Sequence, residues 1–229
     1  MQTPALYTLY SEELSKEVRL RWGVKADNTC FHDVLEKKYH VPELPIEPRT
    51  VLDLGSNIGL TMMHYQSIWP AAHIYGYEMD SENHWVSQFN YRGDMTYNEA
   101  IWTYNGHVPY IKGRDSEQCY KITYRSTHPV DGSAKAVTLD TALNRINTAD
   151  GVVDFVKMDI EGAEFSVLAS PGTWHHRIRF LLVEVHGIVD SDTPRNVEIV
   201  KNILGHKGFT VERHSPHWSA LLAWRKHDR

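Results

Sequence analysis

The sequence predicts an α/β fold in which seven strands form one mostly parallel sheet, ordered 3-2-1-4-5-7-6, with helices on both faces. Three observations predict it. The stretch VLDLGSNIGL at 51–60 reads as a buried strand, a glycine turn and the start of a helix that runs to Trp69. Apolar runs at 73–77, 95–97, 152–158 and 179–185 then alternate with helix-like stretches, the pattern of parallel strands joined by crossover helices. The chain closes on two apolar runs, 209–213 and 219–224, joined by the turn 214–218, an antiparallel hairpin.

Ahead of the first strand, Tyr10 to Arg21 and Thr29 to Tyr39 mix apolar and charged residues at helical spacing. VPELPIEP at 41–48 holds too much proline for a helix or a central strand. Residues 1–48 are therefore expected to be a helical cap and a proline-rich linker, and 49–229 the main domain. Asp80-Ser81 offers an N-cap for a helix to about Tyr91, and Asn98-Glu99-Ala100 falls at the end of the third strand. Between about 104 and 138 the character changes to short strands separated by Gly113-Arg114-Asp115 and Asp131-Gly132 turns, which predicts a β-rich insertion. It carries Tyr104, His107, Tyr110, Arg114, Tyr120, Tyr124, Arg125 and His128, a set suited to stacking on and hydrogen-bonding a polar ring. A helix resumes from Leu139 to Ile146, and a last helix opens with Pro194 in its first turn and stops before Gly208.

A chain of 229 residues with 41% apolar and 23% charged side chains is expected to bury the core of one α/β domain. Its apolar runs fall short of a membrane span, so no membrane partner is expected. Met1 to Thr8 lacks the basic start and apolar core of a secretory signal, and Cys30 and Cys119 are the two cysteines; a cytoplasmic setting is expected. A net charge of −5 offers no phosphate-neutralising surface, so nucleic acid is not the expected substrate. Fourteen histidines make the charge sensitive to pH near neutrality, and their number alone assigns no role.

Spacing narrows the ligand of the glycine turn. A dinucleotide loop would read G-x-G-x-x-G and a phosphate loop G-x-x-x-x-G-K-[ST]; here Gly55 and Gly59 stand four apart and no lysine follows. Glu78 ends the next strand, about twenty residues after the loop, where a carboxylate can accept both hydroxyls of a ribose. An adenosine-containing cofactor without a pyrophosphate fits, and S-adenosylmethionine is such a cofactor. Asp53, Gly55, Ser56, Asn57, Gly59 and Glu78 are candidate contacts, with Asn98, Glu99 and Ala100 placed to meet the adenine. D-x-G-x-x-x-G followed by an acidic strand end resembles motif I and its successor in class I methyltransferases, whose Rossmann-like sheet has the strand order read above.

Val137-Thr-Leu-Asp140, then Asp154, Lys157, Asp159, Glu161-Gly162, Glu164 and Val167-Leu168, closely resemble the T-L-D and D-x-x-K-x-D-x-E-G-x-E-x-x-V-L signature of FkbM-type methyltransferases. Leu182-Val-Glu184-Val-His186 resembles the family's later E-x-H strand, so the likeness covers roughly 50 to 190. Ser56 stands where alanine is more usual, and Met79-Asp80 where proline often follows the acidic residue. The resemblance implies methylation of an alcohol with S-adenosylmethionine, on a polyketide, a sugar or another small metabolite; homodimers are common among members. The polar insertion points to a sugar or oligosaccharide acceptor, with a polyketide hydroxyl the alternative.

An alcohol hydroxyl ionises far above neutral pH, so its attack calls for a base, a metal ion or both. Asp159 at one strand end and Glu184 with His186 at the next are the candidates, as joint ligands of Mg²⁺ or with His186 as general base and Asp159 orienting the acceptor. Lys157 is expected in an ion pair with Glu161 or Glu184, and Glu161 and Glu164 at the start of a helix, where its dipole favours them. Methylation of nitrogen would call for an N/D-P-P-Y/F turn where this chain reads Asp-Ile-Glu-Gly. A protein that binds S-adenosylmethionine without catalysis is the rival class, though it has no need of Asp159, Glu184 and His186.

Overall fold

The computed structural model describes residues 4–93, 95–112, 120–122, 130–187 and 193–225, and it opens on two antiparallel strands, β1 (Leu6–Ser11) and β2 (Lys16–Arg21). The helix expected over 10–21 is thus a hairpin. Its residues obey a period of two: Val18 and Leu20 are fully buried while Glu17 is exposed and Arg19 is partly so. Ser15, at φ 49°, makes the turn. A tertiary partner decides the matter, because the Asn90 amide accepts from Arg19 N at 2.7 Å and donates to Arg19 O at 2.9 Å, satisfying the free edge of β2. The second expected helix is present but begins earlier, as α1 (Lys25–His32), and passes through a π-helical turn, Asp33–Lys37, to Lys38 in the left-handed region.

The main sheet then starts with β3 (Thr50–Leu54), every residue of it buried. After it come α2 (Leu60–Ile68), β4 (His73–Tyr77), α3 (Ser81–Asn90) and β5 (Thr96–Tyr97). The Asp80 carboxylate caps α3, accepting from Glu82 N and Asn83 N at 3.0 and 2.9 Å. A second sheet follows from β6 (Ala100–Ile101), β7 (Gly106–Lys112), β8 (Tyr120–Ile122) and β9 (Gly132–Val137), in the order β6-β9-β7-β8. Arg114, Cys119, Tyr124, Arg125 and His128 lie outside the described residues. The main sheet resumes through α4 (Leu139–Asn144), β10 (Val153–Met158), α5 (Glu164–Ala169), β11 (Ile178–Glu184), α6 (Thr193–His206), β12 (Phe209–Arg213) and β13 (Ala220–Arg225).

Its seven strands lie in the order β12-β13-β11-β10-β3-β4-β5; numbered along the chain within the sheet, that is 3-2-1-4-5-7-6 read from β5. β13 alone runs against its neighbours β11 and β12, and the rest are parallel. Leu54 pairs with Tyr77 on one side and Met158 on the other, so Gly55, Glu78 and Asp159 leave the sheet along one edge. Alternation splits the core. Leu52, Leu54, Val156, Met158, Leu181 and Val183 face α4, α5 and α6, together with the inner side of the second sheet. Val51, Phe155, Phe180 and Leu182 face α2, α3 and the N-terminal segment, whose Leu14, Val18, Leu20 and Leu35 join that core. Burying each such aliphatic side chain is worth roughly 1.5–3 kcal/mol, so the N-terminal segment is held to the sheet by its own apolar residues. Among the described residues no helix is long and apolar enough to cross a membrane.

Candidate active site

The turn after β3 is shaped by other parts of the chain before any ligand. Gly55 and Ser56 both donate their N–H to the Tyr77 carbonyl, at 2.9 and 3.0 Å, which ties the turn to the end of β4. Gly55 takes φ 80°, and a Cβ there would lie 1.8 Å from the Asp159 carbonyl oxygen. Its missing side chain makes room for the end of β10. Gly59, at φ 84°, is the N-cap of α2, and a Cβ on it would meet Ser87 of α3 at 3.0 Å. The backbone N–H of Asn57 donates to Glu78 Oε2 at 2.9 Å, and that of Asp80 to Glu78 Oε1 at 2.8 Å, so the acidic strand end is oriented from both sides.

A cleft opens above this turn, lined by Gly55, Asn57, Glu78, Glu99, Ala100 and Asp159 among others. The remaining candidate contacts lie behind it. Asp53 is fully buried beneath the turn, Ser56 is buried, and Asn98 donates to the Glu78 and Met79 carbonyls at 2.9 and 3.1 Å, bracing the strand end. Glu99 is held by Arg145 and by Lys135, the latter at 2.6 Å. Sequence reasoning missed Tyr77, Met79, Asn83 and Ile101 in this lining; for Tyr77, Met79 and Ile101 the signal was their place next to Glu78 and Ala100, while Asn83 comes from the first turn of α3.

At the ends of β10 and β11 the charged residues converge. The register sets Lys157 opposite Asp53, and the lysine Nζ lies 3.4 Å from Asp53 Oδ1 and 3.2 Å from Asp159 Oδ2, while donating to Gly55 O at 3.1 Å. The lysine is ion-paired, with Asp53 and Asp159 in place of the expected Glu161 or Glu184. His186 stands in a ring of carboxylates: Nδ1 is 2.9 Å from Glu164 Oε1, and Nε2 is 3.7, 3.7 and 3.8 Å from Asp159, Glu161 and Glu184. Glu164 opens α5 as expected, but its fully buried carboxylate also accepts from Ile160 N and Gly162 N at 3.0 Å each, so it fixes both the loop and the imidazole. Glu161 lies before the helix, at φ 54°.

A second cleft, between the N-terminal segment and these strand ends, is lined by Cys30, Asp33, Tyr39, Thr61, Lys157 and Glu184 among others. The two clefts share Gly55, Asn57, Asp159 and Glu161.

The family model for the methyltransferase FkbM domain matches residues 53–211. The chain belongs to the FkbM methyltransferase family. Residues 53–211 thus form an FkbM methyltransferase domain, on an α/β fold with a mostly parallel seven-stranded sheet. Among solved structures, the methyltransferase FkbM from Methylobacillus flagellatus is 17% identical, with a TM-score of 0.48, over 85% of this chain and 52% of that one. This chain therefore spans about half the length of that relative. Fibrillarin from Aeropyrum pernix, solved with natively bound S-adenosylmethionine, is 13% identical, with a TM-score of 0.48, over 97% of this chain and 84% of that one. The sugar N-methyltransferase KedS8 from a Streptoalloteichus species is 10% identical, with a TM-score of 0.43, over 78% of this chain and 81% of that one. No curated protein sequence matches the chain.

Burial and charge set the protonation of this FkbM site. Burial raises Glu78 to about 7 and Asp53 to about 6, the latter against the pull of Lys157. Burial also raises Glu184 to about 7, helped by the nearby Asp159 charge. Asp159 is pushed up by burial, but Lys157 and His186 outweigh that and hold it below the ordinary value. Burial works against a charged His186, yet Glu164, Asp159 and Glu161 raise it to about 10. The reason for preferring His186 as a base, an imidazole titrating near neutrality, is therefore removed by its neighbours: the ring is an imidazolium at pH 7 in the absence of another cation. Asp159, Glu184 and His186 are the residues that could hold such a cation, since their ligand atoms lie within 4.8 Å of one another.

Proposed function

We propose that this FkbM-family chain methylates a hydroxyl of a small polar acceptor, a sugar or oligosaccharide. The observation that carries the reading is the meeting of the two clefts at Asp159 and Glu161, beside Glu184 and His186. One cleft holds the ribose-type carboxylate Glu78, and the other is polar, with Val34 its only aliphatic side chain among the described residues. A greasy acceptor such as a polyketide finds little apolar lining there.

S-adenosylmethionine, when bound, supplies the methyl group. Glu78 would take its ribose hydroxyls and the backbone around Gly55 and Asn57 its flank. In the second cleft Asp159, kept ionised by Lys157, accepts a hydrogen bond from the acceptor and orients it. Glu184, with its carboxyl near 7, receives the hydroxyl proton as the oxygen commits to attack. His186, locked by Glu164, keeps the carboxylates from repelling one another and holds Glu184 in place. A Mg²⁺ ion held by Asp159, Glu184 and His186 would supply further charge to lower the hydroxyl pKa.

The test is release of S-adenosylhomocysteine from S-adenosylmethionine with a panel of mono- and oligosaccharides and macrolide-like alcohols, each with and without a chelator. Turnover on a saccharide supports the reading, and its loss with chelator and return with Mg²⁺ assigns the ion. Glu184→Gln should lower kcat by about 10²–10⁴-fold while leaving the dissociation constant of S-adenosylmethionine unchanged. Turnover on no saccharide, or an unaltered kcat in Glu184→Gln, contradicts it.

A further inference from the structure

Beside the second cleft, the turn between β12 and β13 and the end of the N-terminal segment form one braced unit that the chemistry above does not use. His214 Nε2 lies 2.6 Å from the Tyr39 carbonyl oxygen, joining residues 175 positions apart. The turn closes on itself: His217 N donates to His214 O at 3.0 Å, Ala220 N to His217 O at 3.1 Å, and Ser219 Oγ stands 3.1 Å from His217 Nδ1. These contacts hold the His217 ring against Tyr39, with centroids 4.7 Å apart and planes tilted by 35°, and set Trp218 next in the row, 6.1 Å on and tilted by 30°.

Trp218 is 66% exposed, although an indole of this size is ordinarily tucked against a core. The turn that displays it is continuous with the site. His217 Nε2 is 3.7 Å from Glu184 Oε1, and Tyr39 lines the cleft that holds Glu184 and Asp159. A row of rings, with Trp218 at its exposed end, therefore leads to a rim of carboxylates. A pyranose ring has that same division, with C–H bonds on its faces and hydroxyls around its edge. A cage for an ammonium ion would wrap several ring faces around one point, whereas these rings follow one another at shallow tilts.

Resting on the sugar reading above, we propose that Tyr39, His217 and Trp218 form the stacking platform for the ring of a neutral saccharide acceptor, whose hydroxyl edge then meets Glu184 and Asp159. The platform lies on the C-terminal turn and the N-terminal segment, and the sugar-binding role expected of the β-rich insertion passes to it.

The experiment is saturation-transfer NMR on the full chain loaded with S-adenosylhomocysteine, using methyl glucosides, galactosides and mannosides and short maltooligosaccharides. Wild type, Trp218→Ala and Trp218→Phe are compared, with S-adenosylmethionine turnover read on the same panel. Saturation of ring C–H protons in wild type, weakened roughly five- to tenfold by Trp218→Ala and kept by Trp218→Phe, is the expected result. An unchanged dissociation constant for S-adenosylhomocysteine in both variants shows that the fold is intact. The proposal is overturned by absence of saccharide binding, by equal binding in Trp218→Ala, or by tetramethylammonium binding more tightly than every glycoside. Glycosides that bind through Trp218 but are never methylated leave the platform standing and remove the transferase reading. Methylation of a non-sugar alcohol with no glycoside binding does the reverse.

Discussion

Single residues in this site answer to neighbours that are remote in the chain. Lys157 is buried between Asp53 and Asp159, and with the lysine gone the fully buried Asp53 would lose its cation while Asp159 kept only His186. Lys157→Met should therefore cost about 3–5 kcal/mol, read as a lower urea midpoint at unchanged slope. An unchanged midpoint would mean that water already serves these carboxylates. Glu78, raised to about 7 by burial, must ionise before it can accept two ribose hydroxyls. The dissociation constant for S-adenosylmethionine should accordingly fall as the pH rises through 7, by up to about tenfold per unit on the acid side, and Glu78→Gln should flatten that profile. For His186 the folded pKa of about 10 lies above the ordinary 6.5, so the stability that its charge contributes is fully present below pH 6.5 and is lost as the pH climbs through 10. A ring titration by NMR should place the metal-free imidazole far above 6.5, and Glu164→Gln should bring it down; a wild-type value near 6.5 would refute the carboxylate cage. The motif named Asp159, Glu161, Glu164, Glu184 and His186, but which carboxylate held the imidazole was illegible. Glu164 meets His186 across 22 positions, through the pairing of two strands.

At the scale of elements, backbone crossings account for the glycine turn. Gly55→Ala would drive a Cβ into the Asp159 carbonyl at 1.8 Å from a residue already at φ 80°, and neither backbone can yield without parting β3 from β10. A loss of more than about 3 kcal/mol is expected, with little soluble protein recovered. Wild-type melting of that variant would show that the turn relaxes freely. The N-terminal hairpin is the element that sequence reading took for a helix. Its charged and apolar residues satisfy both periods over so short a run, and the deciding partner, Asn90, sits 71 positions away on α3. The long buried strands and the capped helix after Asp80 were legible because burial on both faces and a capping carboxylate leave their mark in neighbouring residues.

For the whole molecule, the cofactor should act as a staple across the edge where β3, β4 and β10 end. At a concentration of 100 times its dissociation constant, S-adenosylmethionine should add about 2.7 kcal/mol and raise the melting temperature by roughly 5–10 °C. NAD and ATP should give no shift at matched concentration, because the turn has neither of the loops that their phosphates need. A shift with ATP alone would overturn the spacing argument. The second cleft also belongs to this scale, since its walls come from residues near 30–39, from β10 and from β11.

By itself the sequence determined the sheet-and-helix class, the family, the cofactor type and the names of the charged groups that gather at one sheet edge. Each of these rests on patterns a few residues long, apolar periodicity and motif spacing, which local chemistry enforces. Tertiary structure alone decided that Gly55 yields to a carbonyl, that Lys157 joins Asp53 to Asp159, that four carboxylates ring His186, and that Tyr39 and His217 stack beside Glu184. Those are matters of strand register and of segments meeting across the fold, and the energy of a charge or a ring depends on the neighbours that such meetings supply.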